Sequence, residues 1–332
     1  MTDFAAPFAD RRVLVTGGLG LIGSSLARAL AKAAATVVVV DAVVPEHGGN
    51  RRNLSVHDNV DVVELDLRDR ERLSALLDGV DVVFNLAGQR SHVDSMRDPL
   101  TDLEHNCRAQ LTLLEACRHV APEAAVVFAS TRQVYGRPER QPVDETHPVA
   151  PRDVNGIHKA AAERYHTLYH HVYGLPATVL RLTNTYGPGM RVRDARQGFL
   201  GTWVEAVVRG RPFEVWGGAQ RRDLAYVDDA VDAFLLAAAD DRTRGGTYNV
   251  GGAESTSLRE IADLLIALNR GGEYAVREMP PEAAVIDVGD YTTDDTAFRT
   301  LTGWRPRVTL AAGLERTLAY YREQGSHYWG DE

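Results

Sequence analysis

A glycine-rich segment at residues 16–23 has the residue types and the spacing of a phosphate-binding loop. It reads Thr-Gly-Gly-Leu-Gly-Leu-Ile-Gly, follows an apolar run and opens a stretch with helical periodicity. Glycines let the backbone turn tightly and approach a pyrophosphate, whose charge then lies at the N-terminus of the helix. The segment therefore predicts a dinucleotide site with contacts from Gly17, Gly20, Leu21, Ile22 and Gly23.

Two carboxylates follow where they could select that dinucleotide. Asp41 ends the second apolar run, where an acid accepts hydrogen bonds from a ribose diol and repels a 2′-phosphate, so NAD is favoured over NADP. Asp66, with Leu67 beside it, is a candidate for the adenine amino group; the alternative is that it caps the next helix. Close passage of the cofactor also predicts contacts from the residues after the fourth apolar run, Leu86, Ala87 and Gly88.

The residues of this site follow short apolar runs of the chain. These runs alternate with segments that have helical periodicity. The runs are rich in β-branched residues and lie at Val13–Thr16, Thr36–Val40, Val60–Leu65, Val82–Leu86, Ala125–Ala129 and Ala177–Leu182. The helical patterns cover Ile22–Ala33, Arg72–Leu77, Leu100–His119 and Gly156–Val172. Strands that alternate with helices predict an α/β protein with a Rossmann-type, doubly wound parallel sheet.

The character of the chain changes after about Asn184. Glycine, proline and arginine become frequent between Gly187 and Arg222, and shorter elements follow. We therefore expect two parts: residues 1–184 as the cofactor-binding domain, and residues 185–332 mainly as a smaller substrate lobe, with some segments returning to the first domain. Helices are predicted in this second part at Trp203–Arg209, Leu258–Leu268 and Ala311–Arg322.

Composition and charge exclude several classes of protein. The 332 residues contain 37 Lys and Arg against 46 Asp and Glu, and the net charge of -9 argues against a nucleic-acid partner. Acids near the start of the chain and the absence of a long apolar run predict a cytoplasmic protein without a membrane partner. The two cysteines, Cys107 and Cys117, lie too far apart along one predicted helix for a disulfide and lack metal-type spacing, so no metal is expected.

Further motifs give the chain a resemblance over nearly its full length. They are Ala-Ser-Thr-Arg-Gln-Val-Tyr-Gly at residues 129–136, Asn-Thr-Tyr-Gly-Pro at 184–188, Arg-Asp-Leu-Ala-Tyr-Val-Asp-Asp at 222–229 and Asn-Val-Gly-Gly at 249–252. With the glycine-rich loop, they make the chain similar to the extended short-chain dehydrogenases/reductases, the nucleotide-sugar epimerases and dehydratases. The resemblance implies bound NAD and a nucleotide-diphosphate sugar as substrate.

The resemblance also implies roles for individual residues. Thr131 corresponds to the hydroxyl that holds the reacting sugar oxygen, and Lys159 to the lysine that binds the nicotinamide ribose. Asn184 and Arg222 resemble binders of the diphosphate, although Arg222 could instead form a surface ion pair with Asp223 or Asp228. Further substrate contacts are expected from two residues, Gln133 and Arg191.

One position departs from the family pattern. The family has a tyrosine four residues before the lysine, and here that position holds Asn155, whose amide cannot act as a general base. Another group could accept the proton, with His92 preferred over His158, Tyr135 or Lys159. Alternatively, Asn155 positions a water or a sugar hydroxyl, or the protein binds its ligands without turnover.

The residues after Thr131 separate reaction types within the family. The 4,6-dehydratases have an Asp-Glu pair there, whereas this chain has Arg132 and Gln133, so 4,6-dehydration is disfavoured. Arg132 could pair with an acidic sugar such as a uronic acid, or it could be a solvated charge. We therefore predict an NAD-dependent epimerase, acting at C4 through a transient keto sugar. A 4-keto-sugar reductase, a UDP-uronate decarboxylase or epimerase, and a catalytically impaired binding protein are the alternatives.

Two of the predicted helices also suggest an oligomer. Leu100–His119 and Gly156–Val172 carry apolar residues, and the equivalent helices pair across a dimer axis in related proteins. The resemblance therefore implies a homodimer, with an intrachain core as the alternative.

Overall fold

A seven-stranded parallel sheet forms the centre of the protein. The computed structural model describes residues 4–44, 49–54, 60–194 and 198–329. The strands of this sheet are β1 (Arg12–Thr16), β2 (Thr36–Asp41), β3 (Val60–Glu64), β4 (Val82–Asn85), β5 (Ala125–Thr131), β6 (Ala177–Leu182) and β10 (Thr247–Val250). They lie in the order β10-β6-β5-β4-β1-β2-β3. The predicted Rossmann-type sheet is confirmed.

The strand order places a crevice between β1 and β4. From β1 the chain moves outward through β2 to β3, then crosses back to β4 on the other side of β1. Ligands of such sheets bind where the order reverses, at the carboxyl ends of the strands. The strands at this point are apolar because helices cover both faces; the valines at 37–40, for example, are all buried.

Twelve α-helices are described along the chain. They are α1 (Leu21–Lys32), α2 (Arg70–Leu76), α3 (His92–Arg97), α4 (Pro99–Leu103), α5 (Ala109–Val120), α6 (Val154–Tyr173), α7 (Phe199–Val208), α8 (Val227–Ala239), α9 (Leu258–Asn269), α10 (Pro281–Ile286), α11 (Thr296–Thr302) and α12 (Leu310–Gln324). Among the described residues, none of the helices is both long enough and apolar enough to cross a bilayer.

The prediction of a single helix over Leu100–His119 was wrong in one detail. A π-helical turn, Glu104–Arg108, separates α4 from α5. Within this turn the amide of Asn106 donates to the backbone oxygen of Gln89, and just after it the amide of Gln110 donates to that of Ala87. The wider turn therefore brings polar side chains against the loop after β4, and such turns are frequent at functional sites.

The later part of the chain builds two small sheets beside the main one. One contains β7 (Asn184–Tyr186), β9 (Arg221–Tyr226) and β11 (Ser255–Ser257), and the other pairs β8 (Phe213–Trp216) with β12 (Tyr274–Arg277). Because β10 pairs with β6, this part also contributes to the main sheet. The division into a cofactor domain and a substrate lobe stays a prediction.

A buried ion pair fixes α6 against the sheet. Glu163 accepts two hydrogen bonds from the Arg181 guanidinium, at 2.9 and 2.7 Å, and a third from the Ser130 hydroxyl at 2.5 Å. Arg181 lies on β6 and Ser130 lies on β5, so one carboxylate joins three elements. Glu163 is also four residues after Lys159, on the same helical face. The ion pair thereby fixes against the sheet the face of α6 that carries Lys159.

Replacing Glu163 by glutamine should destabilise the protein by about 3 kcal/mol, because Arg181 would keep a buried charge without a partner. Chemical denaturation of the variant measures this change in the free energy of unfolding. Glu123→Gln, at an exposed position, is the matched control and should change stability by less than about 0.5 kcal/mol. Equal stability of both variants would contradict the proposed role of the pair.

Candidate active site

A cavity of about 410 Å³ opens at the carboxyl ends of the central strands. All predicted cofactor contacts line it: Gly17, Gly20, Leu21, Ile22, Gly23, Asp41, Asp66, Leu67, Leu86, Ala87, Gly88 and Lys159. The predicted catalytic residues Thr131, Lys159, Asn155 and His92 also line it, as do Gln133, Asn184 and Arg222. The structure therefore brings together residues that are far apart in the sequence.

The glycine-rich loop leaves room for a phosphate group. Gly17 has φ of 64°, and a Cβ there would lie 2.8 Å from the backbone of Leu86 and Ala87. A Cβ on Gly23 would lie 2.5 Å from the Gly17 oxygen, so the helix and the loop pack backbone to backbone. Helix α1 begins after Gly20 without a side-chain cap, so its N-terminus can receive an anion. The loop fits a dinucleotide pyrophosphate.

The Asp41 carboxylate is held at the edge of this loop. Its Oδ2 accepts from the Leu19 N–H at 3.0 Å and its Oδ1 accepts from the Val43 N–H at 2.9 Å. Burial raises the pKa of Asp41, and the two backbone donors oppose that shift. A fixed carboxylate at the end of β2 suits a ribose diol and disfavours a 2′-phosphate.

Asp66 forms an ion pair with a neighbouring arginine. Its carboxylate accepts hydrogen bonds from the Arg68 guanidinium, at 2.6 Å for the shortest, and this bond lowers the pKa of Asp66. The proposed N-cap role was wrong, because Asp69 caps α2 by accepting from the Arg72 N–H. A contact between Asp66 and adenine stays a prediction.

Lys159 is buried beneath the cavity. Its ammonium donates to the Ala129 oxygen at 3.2 Å and lies 4.9 Å from the centre of the Phe128 ring. Burial lowers the pKa of Lys159 to about 8, against the opposing charge of Asp102. Thr131 also lines the cavity, and its Oγ1 accepts from the Gln133 N–H at 3.2 Å. A hydroxyl and an ammonium are thus available to a sugar oxygen and a ribose.

The Asn155 amide is turned toward protein acceptors. Its Nδ2 donates to the Gln89 backbone oxygen at 2.8 Å and to Asp102 Oδ2 at 3.1 Å, with Gln89 Oε1 at 3.3 Å. Asp102 also lies 2.6 Å from His158 Nδ1. Because these contacts use the amide nitrogen, the Asn155 group left for the cavity is its oxygen, which can accept a hydrogen bond but cannot take a proton.

His92 lies between an acid and an amide. Its Nδ1 is 3.0 Å from Asp153 Oδ2, and its Nε2 is 3.1 Å from Gln133 Nε2. An amide NH₂ only donates, so with Gln133 in this orientation Nε2 is the ring nitrogen that accepts a hydrogen bond, and Nδ1 is the one that faces Asp153. Burial opposes ionisation of Asp153, but contact with His92 and the Gly156 N–H outweigh it and lower the pKa of Asp153.

Asp153 also caps α6, the helix that carries Asn155 and Lys159. Its Oδ1 accepts from the Gly156 N–H at 2.7 Å, while its Oδ2 faces His92. The orientation of His92 is therefore coupled to the start of α6.

Two of the other candidate bases lie outside the cavity lining. Tyr135 is fully buried, donates to Asn249 Oδ1 at 2.7 Å and accepts from Arg181 at 2.8 Å, and burial raises its pKa. His158 is held by Asp102. The candidates that face the cavity are His92 and Lys159.

Arg132 and Arg222 also line the cavity. Arg132 donates to Asn184 Oδ1 through Nε at 2.9 Å and through Nη2 at 2.7 Å, and Arg222 pairs with Asp287 at 2.9 Å. The solvated-charge interpretation of Arg132 was wrong, because its side chain is buried. The alternative pairing of Arg222 with Asp223 or Asp228 was also wrong, since its carboxylate partner is Asp287.

Arg191 does not line the main cavity, but it shares a smaller one with Leu21 and Asn184. This adjoining cavity has a volume of about 40 Å³, and Arg191 pairs with Asp194. A contact between Arg191 and substrate stays a prediction.

Three acidic residues that contact the predicted site residues could not be identified from the sequence. Asp102, Asp153 and Asp287 each contact a predicted site residue from a distant position. The one available signal was at Asp153, an acid directly before a helical stretch, which is typical of an N-cap. Its second contact, with His92, depends on the fold.

Comparison with known proteins identifies the class. The chain belongs to the NAD dependent epimerase/dehydratase family, whose model matches residues 13–251. It is 32% identical over 315 residues to a UDP-glucose 4-epimerase from Mycolicibacterium smegmatis, covering 94% of this chain and 99% of the relative. It is 29% identical over 324 residues to UDP-glucuronic acid decarboxylase 1 from Xenopus tropicalis, covering 96% of this chain and 73% of the relative.

A solved structure extends the comparison. The UDP-glucose 4-epimerase of Thermus thermophilus, in complex with NAD, is 32% identical with a TM-score of 0.83, covering 94% of this chain and 99% of that one. Together these matches confirm the predicted family, NAD as the cofactor, and the class of NAD-dependent nucleotide-sugar epimerases. The roles of the individual residues stay predictions.

The lowered pKa of Lys159 predicts a pH dependence. As pH rises through about 8, the ammonium loses its proton, and the cavity loses this positive charge. We expect kcat/KM for the nucleotide sugar to fall by about tenfold from about pH 8 to about pH 9.5. Lys159→Arg, which remains charged, should lose this decline while keeping a measurable rate. An identical decline in both proteins would show that another group causes it.

Proposed function

We propose that the protein interconverts the C4 epimers of a nucleotide-diphosphate sugar within the 410 Å³ cavity. The observation that carries the proposal is that Thr131, Lys159 and His92 line the same cavity as the glycine-rich loop and Asp41. Bound NAD would accept a hydride from C4 and return it to the opposite face of the keto sugar. The residues of the chain must therefore bind the sugar, move its hydroxyl proton and stabilise the oxygen as it becomes negative.

Thr131 and Lys159 would stabilise the reacting oxygen. The Thr131 hydroxyl lies at the end of β5 and can donate to O4. Lys159 supplies a positive charge in a buried site, where an electrostatic interaction is stronger than in water. The Glu163–Arg181 ion pair holds Lys159 in place, so this charge needs little rearrangement during the reaction.

His92 would accept the O4 proton in place of the missing tyrosine. In this role His92 would use Nε2 as the acceptor, with Nδ1 facing Asp153. When the sugar binds, its hydroxyl replaces the Gln133 amide on Nε2, and the carboxylate of Asp153 stabilises the imidazolium that forms. The same imidazolium returns the proton after the hydride is transferred back. Asn155 would orient the sugar by accepting a hydrogen bond from a neighbouring hydroxyl.

Asn184 and Arg222 would bind the diphosphate. The Asn184 oxygen is used by Arg132, so its Nδ2 is the donor available to a phosphate oxygen. Arg222 lines the cavity while paired with Asp287, which orients its guanidinium. Decarboxylation of a uronate would use the same cavity; the Xenopus relative supports that second candidate.

We further propose that the protein forms a homodimer in the cytoplasm. Helices α3 to α6 expose large apolar side chains on their outer faces, with Leu100 72% exposed and Ile157 53% exposed. Exposed apolar surface of this kind is typical of a protein–protein interface. The two free cysteines favour a reducing compartment.

The dimer is tested by placing charges on this surface. The double variant Leu100→Glu with Ile157→Glu should sediment as a monomer in analytical ultracentrifugation, because two carboxylates would be buried at the interface. Val285→Glu, at a position 62% exposed on α10, is the control and should sediment as a dimer. A monomeric wild-type protein would contradict the proposal.

Epimerisation is tested by NMR in D₂O with UDP-, dTDP-, GDP- and CDP-sugars. We expect one of them to give its C4 epimer without deuterium at C4, because the hydride returns without exchange with solvent. His92→Gln should reduce the rate at least about 100-fold by removing the proton acceptor. His119→Gln, on the outer part of α5, is the matched control and should retain the wild-type rate.

Two results would contradict the proposal. Deuterium at C3 or C5 would indicate carbanion chemistry instead of hydride return. The absence of any product with all four groups of sugars would favour a protein that binds its ligands without turnover.

A further inference from the structure

Asn53 is a buried side chain that lies between the glycine-rich loop and the loop at residues 187–191. The residue is 3% exposed, and its amide Nδ2 donates to the Leu19 oxygen at 2.8 Å and to the Gly189 oxygen at 3.0 Å. Leu19 belongs to the glycine-rich loop, whereas Gly189 follows β7, the strand that begins with Asn184. One amide therefore joins the glycine-rich loop to the segment that follows a residue assigned to the diphosphate.

The orientation of this amide is fixed by its partners. Backbone oxygens only accept hydrogen bonds, so Nδ2 must face Leu19 and Gly189, and Oδ1 accepts from the Tyr328 hydroxyl at 2.6 Å. Because Tyr328 has a single proton to donate, the hydroxyl of Tyr320 is the donor in the contact between these two tyrosines. Both polar atoms of the Asn53 side chain thus have partners inside the protein, as a buried amide requires.

The loop at 187–191 is in close contact with Asn53. Gly189 has φ of 90°, and a Cβ there would lie 2.9 Å from Asn53 Oδ1, so glycine permits this approach. The oxygen of the next residue, Met190, accepts from the hydroxyl of Tyr321, which is fully buried on α12. Two consecutive carbonyl groups of the loop are therefore held, one by Asn53 and the other by the C-terminal helix.

The same loop contributes to the smaller cavity through Met190 and Arg191. Leu21 and Asn184 line both this cavity and the main one, so the two cavities adjoin where α1 begins. A shift of the loop would change the space between Asn184 and the N-terminus of α1, which suits the pyrophosphate of NAD. The contacts of Asn53 therefore bear on both ligands.

We propose that Asn53 is a positioning residue that fixes the loop at 187–191 against the glycine-rich loop, so that NAD and the nucleotide sugar bind at a set distance from each other. This inference rests on the proposed function and adds a residue to it. The effect of Asn53 on the ligands passes through the two backbone oxygens that it holds. Because hydride transfer requires close and aligned groups, a small change in this distance slows the reaction more than it weakens binding.

The bridge formed by Asn53 also predicts that the two ligands influence each other. A nucleotide diphosphate bound at Asn184 restrains the loop at 187–191, and Asn53 passes this restraint to Leu19 in the glycine-rich loop. NAD should therefore leave the protein more slowly when the nucleotide is bound. By linkage, each ligand should raise the affinity for the other by the same factor.

Release of labelled NAD into an excess of unlabelled NAD, with and without saturating UDP, tests the inference. In the wild-type protein, UDP should slow the release at least about tenfold. Asn53→Ala should reduce this slowing to about twofold or less, and Tyr328→Phe, which leaves the amide donors in place, should give an intermediate value. Asn269→Ala is the matched control, because Asn269 Nδ2 also donates to two backbone oxygens, those of Val207 and Gly271. This control should retain the wild-type slowing.

Steady-state kinetics separate positioning from a general loss of structure. Asn53→Ala should lower kcat for epimerisation at least about tenfold while KM for the nucleotide sugar changes by less than about threefold, because the groups that contact the sugar remain. A melting curve with bound NAD checks that each variant folds. If Asn53→Ala does not fold, Tyr328→Phe decides the test, and a wild-type effect of UDP in that variant overturns the inference.

The outcomes separate this inference from the proposed function. If UDP slows NAD release equally in the wild-type protein and in Asn53→Ala, UDP acts only by occupying the cavity and the inference is overturned. A wild-type protein whose NAD release does not respond to UDP also overturns it, while epimerisation by that protein would leave the proposed function intact. A UDP effect that depends on Asn53, in a protein that epimerises no sugar, would uphold the inference and overturn the proposed function.

Discussion

The hydrogen bonds of the Asn155 amide are the constraint on which the site depends. Gln89 and Asp102 together hold its nitrogen, and Asp102 is itself fixed by His158. The side chain at this position therefore serves as a buried polar link between α6, α4 and the loop after β4. It cannot ionise, so any proton transfer in the cavity requires another group. Asn155, Lys159 and Glu163 are spaced four residues apart and therefore lie on one face of α6.

A group that could accept the proton lies at the N-terminus of α6. Asp153 caps the helix with one carboxylate oxygen and faces His92 with the other, so a structural contact also orients an imidazole. His92 begins α3, directly after the loop that follows β4, and reaches the same cavity as Thr131. The rigid parallel sheet brings these elements to one edge, and the buried Glu163–Arg181 pair keeps Lys159 under them. Thr131, Lys159 and His92 therefore already line one cavity in this structure.

The sequence was informative where a local pattern determines a local structure. The glycine-rich loop, Asp41 and the valine-rich strands could be predicted because backbone turns, strand ends and burial leave direct traces in residue type. The contacts that distinguish this site could not be predicted in the same way. Asp102 contacts Asn155 across 53 positions of the chain, and Arg132 contacts Asn184 across 52. Only the folded chain shows that Arg132 is buried and that Arg222 pairs with Asp287.

The most direct test of this account is a double-mutant cycle between positions 92 and 155. Epimerisation rates would be measured for the wild-type protein, Asn155→Tyr, His92→Gln and the double variant, each saturated with NAD. If His92 has taken over the proton transfer, Asn155→Tyr should leave the wild-type rate within about threefold, yet it should raise the rate of His92→Gln by at least about tenfold. A large gain from Asn155→Tyr alone, together with an unchanged rate in His92→Gln, would contradict the account, because His92 would then not be the group that accepts the proton.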